Sequence, residues 1–163
     1  MQKYLACSSL FPVYMGNESH GRQPEGSING VSRKLYLPET ESDVVDAFLR
    51  SRLDLMISEL SITEVISAVA RRRREGVLGV KHASQIRNAL LKDAGFFRRL
   101  DLSPAIHREA ERMLLSTGTV PLRTLDALHI AMAVAGEAKS ILTFDRGLAE
   151  AAALHGLEII QLQ

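Results

Sequence analysis

The chain has 163 residues, 46% of them hydrophobic and 24% charged, which suits one domain with a real core and argues against general disorder. Lys and Arg number 20 against 19 Asp and Glu, a formal net charge of +1, so any attraction to nucleic acid has to come from local patches rather than the whole molecule. The single cysteine, Cys7, excludes an internal disulfide and a thiolate zinc cage. No apolar run approaches the ~18 residues that span a bilayer. The start also lacks the long apolar stretch of a secretory signal, and the expectation is a protein of the reducing cytoplasm.

In chain order, Lys3-Tyr-Leu-Ala6 reads as a short strand. Gly16 to Gly30 follows, with four glycines and Pro24 among polar side chains and no helical or strand period. This stretch is expected to be a flexible loop, dispensable for the core. Val44, Val45, Phe48 and Leu49 form one helical stripe. Leu53 to Ile57 is the next strand, and Ile62, Val65, Ile66 and Val69 make a second amphipathic helix. That helix closes with Arg71 to Arg74 and Gly76, cations and a glycine where a helix C-terminus favours them. A third helix covers Val80 to Ala94 and a short strand Arg99 to Leu102. Ser103-Pro104 is an N-cap followed by proline, opening a helix that carries Ile106, Ala110, Met113 and Leu114.

The fifth helix, about Leu125 to Ala135, is apolar on nearly every side (Leu125, Leu128, Ile130, Met132, Val134) and is expected to be buried all round. Ser140 to Phe144 is a buried-type strand, Leu148 to Leu154 a short helix and Leu157 to Ile160 a closing strand. Strands alternating with helices specify an open parallel sheet covered by helices on both faces.

In such sheets ligands bind beyond the carboxyl ends of the strands, where helix N-termini also point. Three acids fall at these junctions: Glu64 in the first turn of the helix after the Leu53–Ile57 strand, Asp126 in the first turn of the apolar helix, and Asp145 directly after the Ser140–Phe144 strand. Each has a plain structural reading too. Ser61-Ile-Thr-Glu64 is a capping box, Asp126 complements a helix dipole, and Asp145 is placed to cap the last helix. Taken together at one sheet edge, they point further. Clustered carboxylates repel one another unless a cation sits between them, and oxygen-only ligation suits Mg²⁺ or Mn²⁺. Such an ion activates water and stabilises a phosphate under attack, which is the chemistry of phosphodiester hydrolysis. No nucleophile triad, P-loop or dinucleotide fingerprint competes.

Three blocks then look familiar: Met56-Ile-Ser-Glu-Leu-Ser-Ile-Thr-Glu64-Val-Ile-Ser-Ala68, Pro121-Leu-Arg-Thr-Leu-Asp126-Ala-Leu-His129 and Ile141-Leu-Thr-Phe-Asp145-Arg146. In this order they resemble the PIN-domain family, and within it the VapC-like toxin ribonucleases of type II toxin–antitoxin systems. Lys34-Leu-Tyr-Leu-Pro-Glu39 resembles the segment after that family's first strand. The resemblance covers residues 34–163 as a PIN-like nuclease domain and leaves residues 1–33 as an aberrant N-terminal segment. It implies a three-layer α/β/α sandwich with a central parallel sheet, a Mg²⁺ or Mn²⁺ endoribonuclease, a homodimer, and a cognate antitoxin protein as partner. Carried over by position, Glu64, Asp126 and Asp145 become catalytic metal ligands, with Thr124 and Thr143 at most supporting them from behind.

The family's first acid, an aspartate ending the first strand, has no counterpart. Counting back from Lys34 reaches Ile28 beside Asn29, whereas setting Lys3-Tyr4-Leu5 on the strand puts Ala6 in the acid's place. The second register is the better strand. A chain lacking that ligand is expected to bind the ion weakly and cleave RNA slowly or not at all; the competing reading is an inactive PIN-like module that binds a partner such as the antitoxin. Among lesser features, Arg71 to Arg74 read as a solvated helix end, Arg146 as a phosphate contact and His129 as a packed core histidine.

Overall fold

The computed structural model describes residues 4–6, 55–116, 118 and 120–160, with side chains from residue 55 onward. The expected loop Gly16–Gly30, the Lys34–Glu39 segment and the Val44–Leu49 helix lie outside the described residues. The element order is β1 Tyr4–Ala6, β2 Leu55–Ser58, α1 Glu59–Arg74, α2 Val80–Ala94, β3 Arg98–Leu100, α3 Pro104–Ser116, α4 Thr124–Ala135, β4 Ser140–Leu142, α5 Arg146–Leu154 and β5 Glu158–Ile160.

The five strands form one sheet in the order β3-β2-β1-β4-β5, and every pairing is parallel. All four residues of β2 and all three of β4 are buried, as expected of parallel strands covered on both faces. Successive strand residues point to opposite faces, and β2 shows it. Met56 joins a core with Ile106, Ile130, Met132, Ile141 and Leu148, from α3, α4, β4 and α5. Its neighbour Ile57 joins the other core with Ile62, Val65, Ile86 and Leu90, from α1 and α2. The predicted α/β/α layering is therefore present. Full burial of each such side chain contributes about 1.5–3 kcal/mol, so the two cores rather than the short strands hold the sheet together. Among the described residues β3 is an edge strand, and it carries exposed Arg98 and Arg99, charges that discourage pairing with another strand. No helix among the described residues is long and apolar enough to cross a membrane.

Two local readings change. The N-cap of α1 is Ser58, not Ser61: the Ser58 hydroxyl accepts from the Ser61 backbone N–H at 2.9 Å. Ser61 is thus inside the helix, and Glu64 stands in its second turn rather than its first. The capping box with Glu64 does not form, because β2 runs straight into α1 and the strand's last residue caps it. Also, α4 is not buried all round. Its middle from Ala127 to Ala133 is enclosed, but Leu125 and Val134 at its two ends are exposed.

Other local signals hold. Gly76, at φ +74°, follows the Arg71–Arg74 end of α1 in a left-handed conformation that glycine adopts without steric cost. The Ser103 hydroxyl accepts from the Ile106 backbone N–H at 3.4 Å at the start of α3.

The strand order reverses between β1 and β4, since the chain builds outward from β1 through β2 to β3 on one side and through β4 to β5 on the other. Crevices at such a reversal, beyond the strands' carboxyl ends, are where open α/β sheets bind ligands. The register sets Ala6 level with Ile57 and Leu142, so β1 ends in the middle of that crevice.

Candidate active site

Around the end of β1 three helix starts converge. Asp145 follows β4 and is the N-cap of α5; its Oδ1 accepts from the Leu148 backbone N–H at 3.0 Å. Its own backbone N–H donates to Thr143 Oγ1 at 3.1 Å, so the buried Thr143 fixes the bend that turns the chain from strand to helix. The predicted cap role of Asp145 is therefore real, and it leaves the Oδ2 atom facing another element. The Arg123 guanidinium, 81% exposed, stands 4.0 Å from that oxygen.

Asp126 is the third residue of α4 and half-buried. Burial pushes its carboxyl above the ordinary value of 3.8, and the negative charge of Asp145 raises it further. The Arg123 guanidinium, a hydrogen bond from the Arg123 backbone and the nearby His129 oppose the rise without cancelling it. A carboxylate pair one of whose members is costly to ionise is the electrostatic situation that a bound cation relieves.

Glu64 reaches the same region from α1 but is engaged elsewhere. Its Oε2 meets the Nε2 of His129 at 2.8 Å. His129 is 1% exposed and lies one turn beyond Asp126 on α4. The reading of His129 as a packed core histidine holds, with a partner on another helix that spacing along the chain does not reveal.

The donor set of three carboxylates, all oxygen, has the chemistry that Mg²⁺ or Mn²⁺ prefers. As arranged, no three His, Cys, Asp or Glu side chains among the described residues group tightly enough to hold a metal ion. The Asp126 carboxyl feels the charge of Asp145, and Glu64 bonds to His129, one turn beyond Asp126 on α4. Thr124 is the first residue of α4, exposed to solvent. Arg146 is also exposed and pairs with Glu150 at 2.8 Å. Arg71 to Arg74 end α1, and Arg72 pairs with Glu75 at 3.7 Å, as a solvated helix terminus would. Sequence reasoning missed Arg123, whose signal was available: it stands three residues before Asp126, at the N-cap of the same helix.

Comparison with known proteins agrees with this fold. FitAcB from Neisseria gonorrhoeae is similar to the chain with a TM-score of 0.66 and 17% identity, covering 97% of this chain and 96% of that one. VapC20 from Mycobacterium tuberculosis, a sarcin-ricin loop cleaving toxin, is similar with a TM-score of 0.62 and 12% identity over 96% and 98% of the two chains. VapBC2 from Rickettsia felis, solved with a DNA fragment from its promoter, gives a TM-score of 0.59 and 13% identity over 99% and 100%. At these identities the likeness is one of fold. None of the curated protein sequences matches the chain. The sequence model of the PIN domain matches residues 33–154, which contain Glu64, Asp126 and Asp145 and make up well over half of the chain. The chain therefore belongs to the PIN-domain family.

Proposed function

We propose that this protein is a toxin-like, metal-dependent endoribonuclease of the cytoplasm, in which Glu64, Asp126 and Asp145 hold Mg²⁺ or Mn²⁺. The alanine at the end of β1 weakens it. The observation that carries the reading is the Asp126–Asp145 pair at the reversal of strand order, with the Asp126 carboxyl raised by burial and by its neighbour's charge. Membership of the PIN-domain family supports a nuclease. The similarity to a toxin that cleaves the sarcin-ricin loop supports RNA as the substrate. Similarity to VapBC2 supports a cognate antitoxin as partner, and a homodimer is the assembly that the family resemblance implies.

When bound, the ion would supply positive charge to the scissile phosphate and acidify a water. The chain's own residues have separate tasks. Asp145 is held by the α5 cap and Asp126 by α4, so both carboxylates sit on rigid helix starts. Arg123, exposed beside them, is placed to meet a backbone phosphate and to balance the carboxylate charge before substrate arrives. Arg146, one residue past Asp145, offers a second phosphate contact.

The test is single-turnover cleavage of a mixed RNA pool with and without Mn²⁺. The unmodified chain is expected to cleave slowly, Ala6→Asp to cleave faster, and Asp126→Asn to lose whatever activity exists. Metal-dependent cleavage untouched by Asp126→Asn would sink the catalytic assignment. Ala6 favours a second reading, a binding module without catalysis. On that reading neither substitution alters RNA cleavage, and affinity for the antitoxin survives both.

A further inference from the structure

The buried polar side chains at the head of α1 form one connected set. Ser58, Ser61 and His129 are each at most 1% exposed, amid apolar neighbours, where an unpartnered hydroxyl or imidazole would be costly. They are instead joined in a line. Ser58 Oγ accepts from the Ser61 backbone N–H at 2.9 Å and lies 2.8 Å from the Ser61 hydroxyl. The same Ser58 Oγ lies 3.4 Å from His129 Nδ1, and His129 Nε2 lies 2.8 Å from Glu64 Oε2.

One proton arrangement satisfies every member. The Ser61 hydroxyl donates to Ser58 Oγ, the Ser58 hydroxyl donates to Nδ1, and Nε2–H donates to the Glu64 carboxylate. The line starts at the carboxyl end of β2 and ends on a carboxylate. It crosses from α1 to α4 on the way, so the imidazole ties the helix that carries Glu64 to the helix that carries Asp126. A glutamate ligand held in one direction binds an ion with less ordering cost.

We infer that His129, oriented by the Ser58–Ser61 pair, is a positioning residue that fixes the direction of the Glu64 carboxylate. This role rests on the proposed metal site, and it predicts that a residue which touches no ion controls affinity for one.

The experiment uses the full chain and Mn²⁺ alone as the probe, with dissociation constants from electron paramagnetic resonance. His129→Leu keeps apolar bulk but removes the donor; it is expected to weaken Mn²⁺ binding about 10–100-fold. His129→Gln returns an N–H near the Nε2 position and is expected to bring affinity back to within a few-fold of the parent. Glu64→Gln is expected to weaken binding at least as much as His129→Leu. In the double variant the two losses should not add, because both act through one carboxylate. Melting without Mn²⁺ identifies any variant that fails to fold. If His129→Leu does fail, the comparison of His129→Gln with Ser58→Ala decides, the first retaining affinity and the second losing it.

Parent-like Mn²⁺ affinity in a folded His129→Leu, with Glu64→Gln weakened, would overturn the positioning role and leave the metal site standing. Parent-like affinity in Glu64→Gln would overturn the metal site itself, and the role of His129 with it.

Discussion

Asp126 is the residue at which function and stability pull apart. Its carboxyl is raised above 3.8 chiefly by burial and then by Asp145, so the ionised form is the strained one in the folded state. A carboxyl raised on folding contributes stability that is fully present below its unfolded value and is lost as pH rises through the folded one. Asp126→Asn removes that loss. The variant should match the parent at pH below the ordinary aspartate range, then gain on it as pH climbs, reaching a constant advantage near neutrality. Half-exposure and solvent screening keep the gain modest, about 0.5–1 kcal/mol. That is a rise of roughly 1–4 °C in melting temperature for a chain of this size. Thermal melts from pH 3 to 8 (about that range) in a chelated buffer read it directly. A variant less stable than the parent at neutral pH would show that Asp126 serves the fold.

At the scale of elements, the helix starts were only partly legible. The span Val80–Ala94 was legible in outline from the spacing of Ile86 and Leu90, though Ala94 rather than Leu91 completes the buried face. The head of α1 was misread. Ser58 and Ser61 both stand three residues before a residue that could complete a cap, and only the burial of Ile57 up to the end of β2 chooses between them. The Glu64–His129 pair joins residues 65 apart, and no local period carries that information.

Asp145 shows how an element can hide a site. It is an effective N-cap for α5, so capping alone would explain it. The two roles separate by substitution. Asp145→Asn keeps a side-chain acceptor for the Leu148 N–H and should cost only a few tenths of a kcal/mol, while Asp145→Ala should cost about 1 kcal/mol. Both should lose Mn²⁺ binding. Denaturant unfolding and ion binding on the same samples distinguish them, and Mn²⁺ binding retained by Asp145→Asn would leave capping as its whole role.

Across the molecule, the alternation of strands and helices was enough to anticipate a parallel sheet with helices on both faces, since each segment carries its own period. The central place of β1 was less visible. Three residues, Tyr4 to Ala6, contribute little pattern, yet both neighbours pair with them, and they end level with Ile57 and Leu142. The acid expected on the family pattern would stand there, and alanine stands instead. The account depends on the remaining carboxylates, drawn from α1, α4 and the head of α5, still serving a single cation.

Thermal melting of the full chain against increasing Mn²⁺ tests this most directly, because an ion that binds only the folded state stabilises it by mass action. The parent should gain about 1.4 kcal/mol when Mn²⁺ reaches tenfold over its dissociation constant. Asp126→Asn should start from a higher melting temperature and gain nothing. An equal rise in both proteins, or none in the parent at millimolar Mn²⁺, would contradict the site.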